Sequence, residues 1–138
     1  MALHLEIVTP RGSVVVEDAT EVIMPGKLGE FGVLDGHIPF LSALRPGVLR
    51  YRDADGKPKR MALSTGFAEV GASEKVLVLT DNATYADDVD VGSVQQELEE
   101  LEHELQQWEG ELTAEHRELQ EKADWARARI DVVKAPSD

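Results

Sequence analysis

Between Met24 and Leu49 the chain reads MPGKLGEFGVLDGHIPFLSALRPGVL, with Gly26, Gly29, Gly32, Gly36 and Gly47 set among Pro25, Pro39 and Pro46. Glycine opens backbone conformations closed to other residues, and proline fixes φ and removes an amide donor. No helix runs through such a stretch, so it predicts strands of a few residues joined by tight turns. The spacing also argues against a phosphate cradle. Gly26, Gly29 and Gly32 stand three apart, matching neither G-x-G-x-x-G nor G-x-x-x-x-G-K-[ST], and no long helix follows to face an anion.

The flanking segments agree with a β domain. Residues 3–9, LHLEIVT, alternate with Leu3, Leu5 and Ile7 on one face and His4, Glu6 and Val8 on the other, the pattern of a half-buried strand. Pro10-Arg11-Gly12 turns the chain, and residues 14–16 and 21–24 form the next strands, or one bent strand. Leu49 and Tyr51 oppose Arg50 and Arg52, and Asp53-Ala54-Asp55-Gly56 supplies a turn into a return strand holding Lys59, Met61 and Leu63. Strands at 67–71 and 75–80 follow, joined by a small polar turn. Short strands at this spacing predict an all-β sandwich or barrel over residues 1 to about 85.

Near residue 86 the composition changes. Residues 1–85 carry 11 acids and 9 bases, whereas residues 86–138 carry 16 and 5, a net −11. Nine of the eleven glycines lie at or before Gly71. Asp87, Asp88 and Asp90 place negative charge where a helix N-terminus favours it, with Ser93 and Gln96 a competing capping box. Apolar residues recur in steps of three and four at Val91, Val94, Leu98, Leu101, Leu105, Trp108 and Leu112. The series resumes at Leu119, Ala123, Ala126, Ile130 and Val133, beyond Gly110 and a plausible cap at Thr113. If the chain folds back about Leu112, facing residues have numbers that sum to 224: Val91 with Val133, Val94 with Ile130, Leu98 with Ala126, Leu101 with Ala123, Leu105 with Leu119, Trp108 with His116. A continuous helix leaves the stripe interrupted at 115–116. The expected fold class is α+β: an N-terminal all-β sandwich over residues 1–86, then a C-terminal antiparallel two-helix hairpin over 87–138.

Composition narrows function by exclusion. A net charge of −13 opposes binding to nucleic acid, which needs a basic surface to displace counterions. No apolar run approaches the roughly 18 residues of a membrane span, so no direct membrane insertion is expected. The chain has no cysteine, which excludes disulfides and thiolate metal sites. His4, His37, His103 and His116 fall in no zinc-ligand spacing, and Asp87, Asp88 and Asp90 lack the glycine and glutamate of a calcium loop. No serine sits in a nucleophile elbow. These patterns predict a non-catalytic protein with no metal and no cofactor.

The order Pro25-Gly26, Gly29, Gly32-Val33-Leu34, His37, Pro39, Pro46-Gly47 closely resembles the N-terminal domain of the epsilon subunit of F-type ATP synthases. A second match follows at Ser64-Thr65-Gly66-Phe67-Ala68-Glu69-Val70 with the apolar strand Val76-Leu77-Val78-Leu79. The resemblance implies a central-stalk rotor subunit that links gamma to the c-ring and regulates ATP hydrolysis through its C-terminal helices. It implies a peripheral place on the cytoplasmic face of the cell inner membrane, and transient contact with the catalytic alpha and beta subunits. By the same resemblance, the loop Lys27-Leu28-Gly29-Glu30 meets the c-ring, with Glu30 its charged contact, and His37 is a gamma contact.

Some epsilon subunits bind ATP through a pattern like [IL]-D-x-x-R-A at the first helix, with arginines on the second. Here Val89-Asp90-Val91-Gly92-Ser93-Val94 keeps the aspartate but has Ser93 in place of the arginine. Asp90, Arg127 and Arg129 are thus read as a vestigial nucleotide site, and Arg127, Arg129 and Lys134 as the cationic end of an inhibitory contact. The lack of a transit-like leader favours a bacterial or organelle-encoded source. The alternative reading is a free-standing β-sandwich adaptor or ligand-binding module that dimerises through its coiled coil.

Overall fold

The computed structural model of the chain describes residues 2–36, 39–71 and 73–134. The first strand, β1 (Leu3–Thr9), buries Leu3, Leu5 and Ile7 and turns His4, Glu6 and Val8 outward, as its alternation requires. The two short runs that follow are one strand of 15 residues, β2 (Gly12–Gly26). Its first half pairs antiparallel with β1, from Thr9 opposite Gly12 to Leu3 opposite Ala19. Its second half pairs with β3 (Gly29–Leu34) on one side and β5 (Gly47–Asp53) on the other. The register shifts between Ala19 and Glu21, where the strand passes from one sheet to the other.

Two sheets therefore share β2. One continues from β1 to β8 (Lys75–Thr80), β7 (Gly66–Val70) and β4 (Phe40–Leu44); β1 and β8 run parallel, the rest antiparallel. The other continues from β5 to β6 (Pro58–Leu63) and β9 (Ala83–Tyr85). Leu5, Ile7, Val22, Met24, Leu49, Met61, Leu63 and Val78 fill the space between them and are essentially inaccessible to water. The edge strand β9 was not foreseen, since three residues carry no periodicity. It is held by a corner network: Ser64 Oγ lies 3.1 Å from Thr80 Oγ1, and the Asn82 amide donates to Ser64 Oγ at 2.8 Å.

A polar cluster closes the lower edge of the second sheet. The Tyr51 hydroxyl donates to Glu17 at 2.8 Å and lies 3.2 Å from the Tyr85 hydroxyl, while Lys59 pairs with Glu17 at 2.6 Å. Burial, with the Tyr85 and Glu17 contacts, pushes the Tyr51 phenol well above its ordinary range, so it stays protonated as a donor.

A 3-10 turn, Ala86–Asp88, leads to α1 (Val91–Gln106). Asp90 is its cap, accepting from the Ser93 amide at 3.3 Å, which decides between the two candidate starts. The second helix, α2 (Ala114–Lys134), begins after Thr113, whose hydroxyl accepts from the His116 amide at 3.5 Å. Val94, Ala126 and Ile130 make the buried seam with Leu98 and Leu101 beside it, and the Trp108 and His116 rings meet edge to face at 5.3 Å. The fold-back about Leu112 is therefore as the numbering predicts.

At the open end of the hairpin the structure differs. Val133 packs with Ala128, Val132 and Trp125 against Ala62 and Val48 of the β domain. The last turns of α2 lie over the Val48–Ala62 patch on the outer face of β5 and β6, so a second stripe of the helix is buried there. Arg60 of β6 clamps this end by donating to the Val132 carbonyl at 2.6 Å.

Candidate functional site

The c-ring loop inferred from the sequence is the tip of the β2–β3 hairpin. Gly26 pairs with Gly29, leaving Lys27 and Leu28 as a two-residue connection. A Cβ on Gly26 would fall 2.5 Å from the Gly29 carbonyl oxygen and against the Phe31 ring, so this approach requires glycine. The tip is braced by the Lys27 amide donating to Ala43 at 2.9 Å. Leu28 stands fully exposed at 103 %. Glu30 is placed differently from its neighbours: it lies inside β3, where Arg50 of β5 donates to its carboxylate at 2.9 Å. His37 lies outside the described residues.

A second surface was missed by motif reading. Cross-strand register puts Val8, Leu79, Phe67 and Ala43 in one row across the outer face of the β1–β8–β7–β4 sheet. The adjacent row holds Val16, Glu6, Leu77, Glu69 and Leu41. Leu41 is 69 % exposed, Phe67 55 % and Leu79 47 %. One end of this face opens into an apolar groove of about 740 Å³ between Val8, Phe67, Leu79 and Pro46. Adjacent large apolar side chains on one flat face are the mark of a protein interface. The signal in the sequence was the apolar character of both faces of residues 75–80, where a solvated strand shows alternation.

The residues read as a vestigial nucleotide site are already occupied. Asp90 is committed to the α1 cap. Arg127 pairs with Asp124 at 2.9 Å and Glu102 at 3.5 Å. Arg129 bonds Glu97 across the hairpin and stacks on the Trp125 ring at 5.1 Å. An anion arriving here must displace carboxylates from both guanidiniums. Lys134 lies exposed in the last turn of α2.

A small sandwich with a shaped hairpin edge, an apolar outer face and a folded helical appendage defines a docking subunit. Residues 2–86 match the family model described as ATP synthase, Delta/Epsilon chain, beta-sandwich domain. The chain is 40 % identical over 135 residues to an ATP synthase epsilon chain of Synechococcus, covering 97 % of this chain and 98 % of that one. It is 42 % identical over 134 residues to an ATP synthase epsilon chain of Nitratidesulfovibrio vulgaris, covering 97 % and 90 % respectively. The chain belongs to the ATP synthase epsilon family. Among solved structures, a chain of the Euglena gracilis mitochondrial ATP synthase OSCP/F1/c-ring assembly superposes with a TM-score of 0.77 at 22 % identity, over 97 % of this chain and 80 % of that chain. A chain of the Tetrahymena thermophila mitochondrial ATP synthase central stalk and c-ring matches with a TM-score of 0.60 at 13 % identity, over 96 % and 97 %. These two likenesses establish the fold. The family match decides between the two functional readings of the sequence in favour of the synthase subunit.

Proposed function

We propose that this chain is a non-catalytic rotor subunit that holds gamma to the c-ring at the cytoplasmic face of the membrane, with the outer sheet face as its gamma contact. The observation that carries this reading is the apolar row Val8–Leu79–Phe67–Ala43 across β1, β8, β7 and β4, with Leu77 and Leu41 in the row beside it. Covering Phe67, Leu79 and Leu41 removes a contiguous apolar surface from water, at about 25 cal/mol per Å². The Lys27–Leu28 tip meets the polar loops of the ring, at a different part of the same rigid domain. Torque passes between gamma and ring only if the connector does not shear, and a two-sheet sandwich sharing one 15-residue strand suits that load.

The hairpin is the regulatory element of this proposal. In the folded-down arrangement α2 rests on β5 and β6, and its contact with the catalytic alpha and beta subunits requires release from these strands. Its cationic end, Arg127, Arg129 and Lys134, is the inhibitory contact. Within the closed hairpin Arg127 and Arg129 pair with Glu102 and Glu97 of α1, so freeing them for the inhibitory contact requires the two helices to separate. Nucleotide binding is not part of the proposal, because Ser93 brings no guanidinium and the two arginines are paired.

Phe67→Asp tests the docking face. The variant should keep the wild-type circular dichroism spectrum and melting temperature, since the side chain is exposed, and should fail to recover gamma from detergent-solubilised complex. Undiminished recovery of gamma sinks this assignment.

A further inference from the structure

The outer face that covers so much apolar surface also carries one carboxylate without a partner. Glu69 stands on the central strand β7, directly across from Leu41 on β4 and Leu77 on β8. Its same-face neighbour along the strand is Phe67. The other carboxylate of that row, Glu6, is neutralised locally: Ser13 donates to it at 2.7 Å and Lys75 lies 3.7 Å away. Among the described residues no hydrogen bond or ion pair reaches the Glu69 carboxylate. In the free subunit this costs nothing, because the side chain is exposed and hydrated.

Docking changes that balance. Glu69 is not at the rim of the face but between two leucines and next to the phenylalanine, so a partner covering them encloses it too. A carboxylate taken out of water without compensation is strongly unfavourable, and the remedy is an opposing charge with hydrogen bonds. We infer that the partner surface covering this sheet presents a lysine or arginine opposite Glu69, and that this pair sets the register and specificity of docking. The inference rests on the gamma-docking reading above. Apolar rows alone tolerate sliding of one surface over another, and a single enclosed ion pair does not. Glu69 thereby acts as a register pin, while Phe67, Leu79 and Leu41 supply the attraction.

The sign of one substitution separates this from a solvated glutamate. If the partner brings no cation, Glu69→Leu extends the apolar rows and tightens binding. If it does, the same change strands a buried cation and weakens binding, by about a hundredfold on the scale of broken buried pairs. The experiment measures affinity of the full chain for purified gamma, with Glu69→Leu, Glu69→Gln, Glu69→Lys and Phe67→Asp alongside wild type. All four should melt at the wild-type temperature, since both positions face solvent. The expected result is weaker binding for every Glu69 variant, chiefly through faster dissociation, with Glu69→Lys rescued by an acidic substitution at one lysine or arginine of gamma. Glu69→Leu binding as tightly as wild type, while Phe67→Asp fails to bind, overturns the pin and leaves the docking face standing. Unaltered binding by Phe67→Asp overturns both.

Discussion

Gly66 begins β7 at the point where the backbone runs against β8, and a Cβ there would lie 2.0 Å from the Leu79 carbonyl oxygen. Neither strand can give way, because the neighbouring Ser64–Thr80–Asn82 hydrogen bonds fix the corner. Gly66→Ala should therefore cost about 3 kcal/mol, at the upper end for overpacking, and thermal unfolding reads it directly. Wild-type stability in this variant would show that the strands can separate locally. Asp53 makes a different kind of contribution. The Lys57 amide lowers its pKa despite opposing burial, with help from the Asp55 amide and Lys59. A depressed carboxylate stabilises the fold fully above its ordinary value of about 4 and loses that contribution as pH falls through the depressed one. Asp53→Asn should melt below wild type at neutral pH, and the gap should close in acid. A gap that persists unchanged at low pH would mean the loss is steric and not electrostatic.

At the scale of elements, the β2–β3 hairpin is stiffened on both sides of its tip. Phe31 meets Phe40 edge to face at 5.4 Å, and Arg50 holds Glu30. Leu28 stands at the tip itself, whereas the exposed Glu30 is tied back to Arg50. A cysteine at position 28 should cross-link to the ring loop in assembled complex more efficiently than one at position 30. An intact complex giving no cross-link from positions 27 to 30 would remove the ring contact from this hairpin. The second helix shows how one element serves two surfaces. Ala126 and Ile130 face α1, whereas Ala128 and Val132 face the sheet. Small residues on both stripes let the helix lie close to α1 and to the strands at once. Towards the tip Leu105, Trp108 and Leu119 are only half-buried, so that end is held least.

At the scale of the molecule, the charge distribution opposes the inhibitory role proposed for the hairpin. Residues 97–124 carry eleven acids against Arg117 and Lys122, a net −9. Moving that surface toward any acidic partner surface is repelled within a Debye length of roughly 8 Å. Release also uncovers Ala62 and Val48 and frees the Arg60 clamp. Deletion of residues 87–138 should therefore leave a folded, gamma-binding domain that melts lower than the full chain, and should raise ATP hydrolysis by the complex only slightly. A large rise in hydrolysis, unaffected in the full chain by neutralising Arg127, Arg129 and Lys134, would show that apolar burial drives inhibition instead.

Much of this was local and so was written in the sequence. Alternation places Leu3, Leu5 and Ile7 inside because a strand has only two faces. Asp90 and Thr113 mark helix starts because their side chains satisfy amides within the same turn. Trp108 meets His116 because a helical repeat folded once has one register. Tertiary structure alone decided the rest. That β2 spans both sheets depends on partners from β1 to β5, and that Val133 turns to the β domain depends on a face built by β5 and β6. The exposure of Phe67 and the isolation of Glu69 depend on β4, whose Ala43 and Leu41 lie 24 and 28 residues upstream, and on β8 downstream. Burial is a property of what lies opposite, and the chain's own periodicity names the face but not its neighbour.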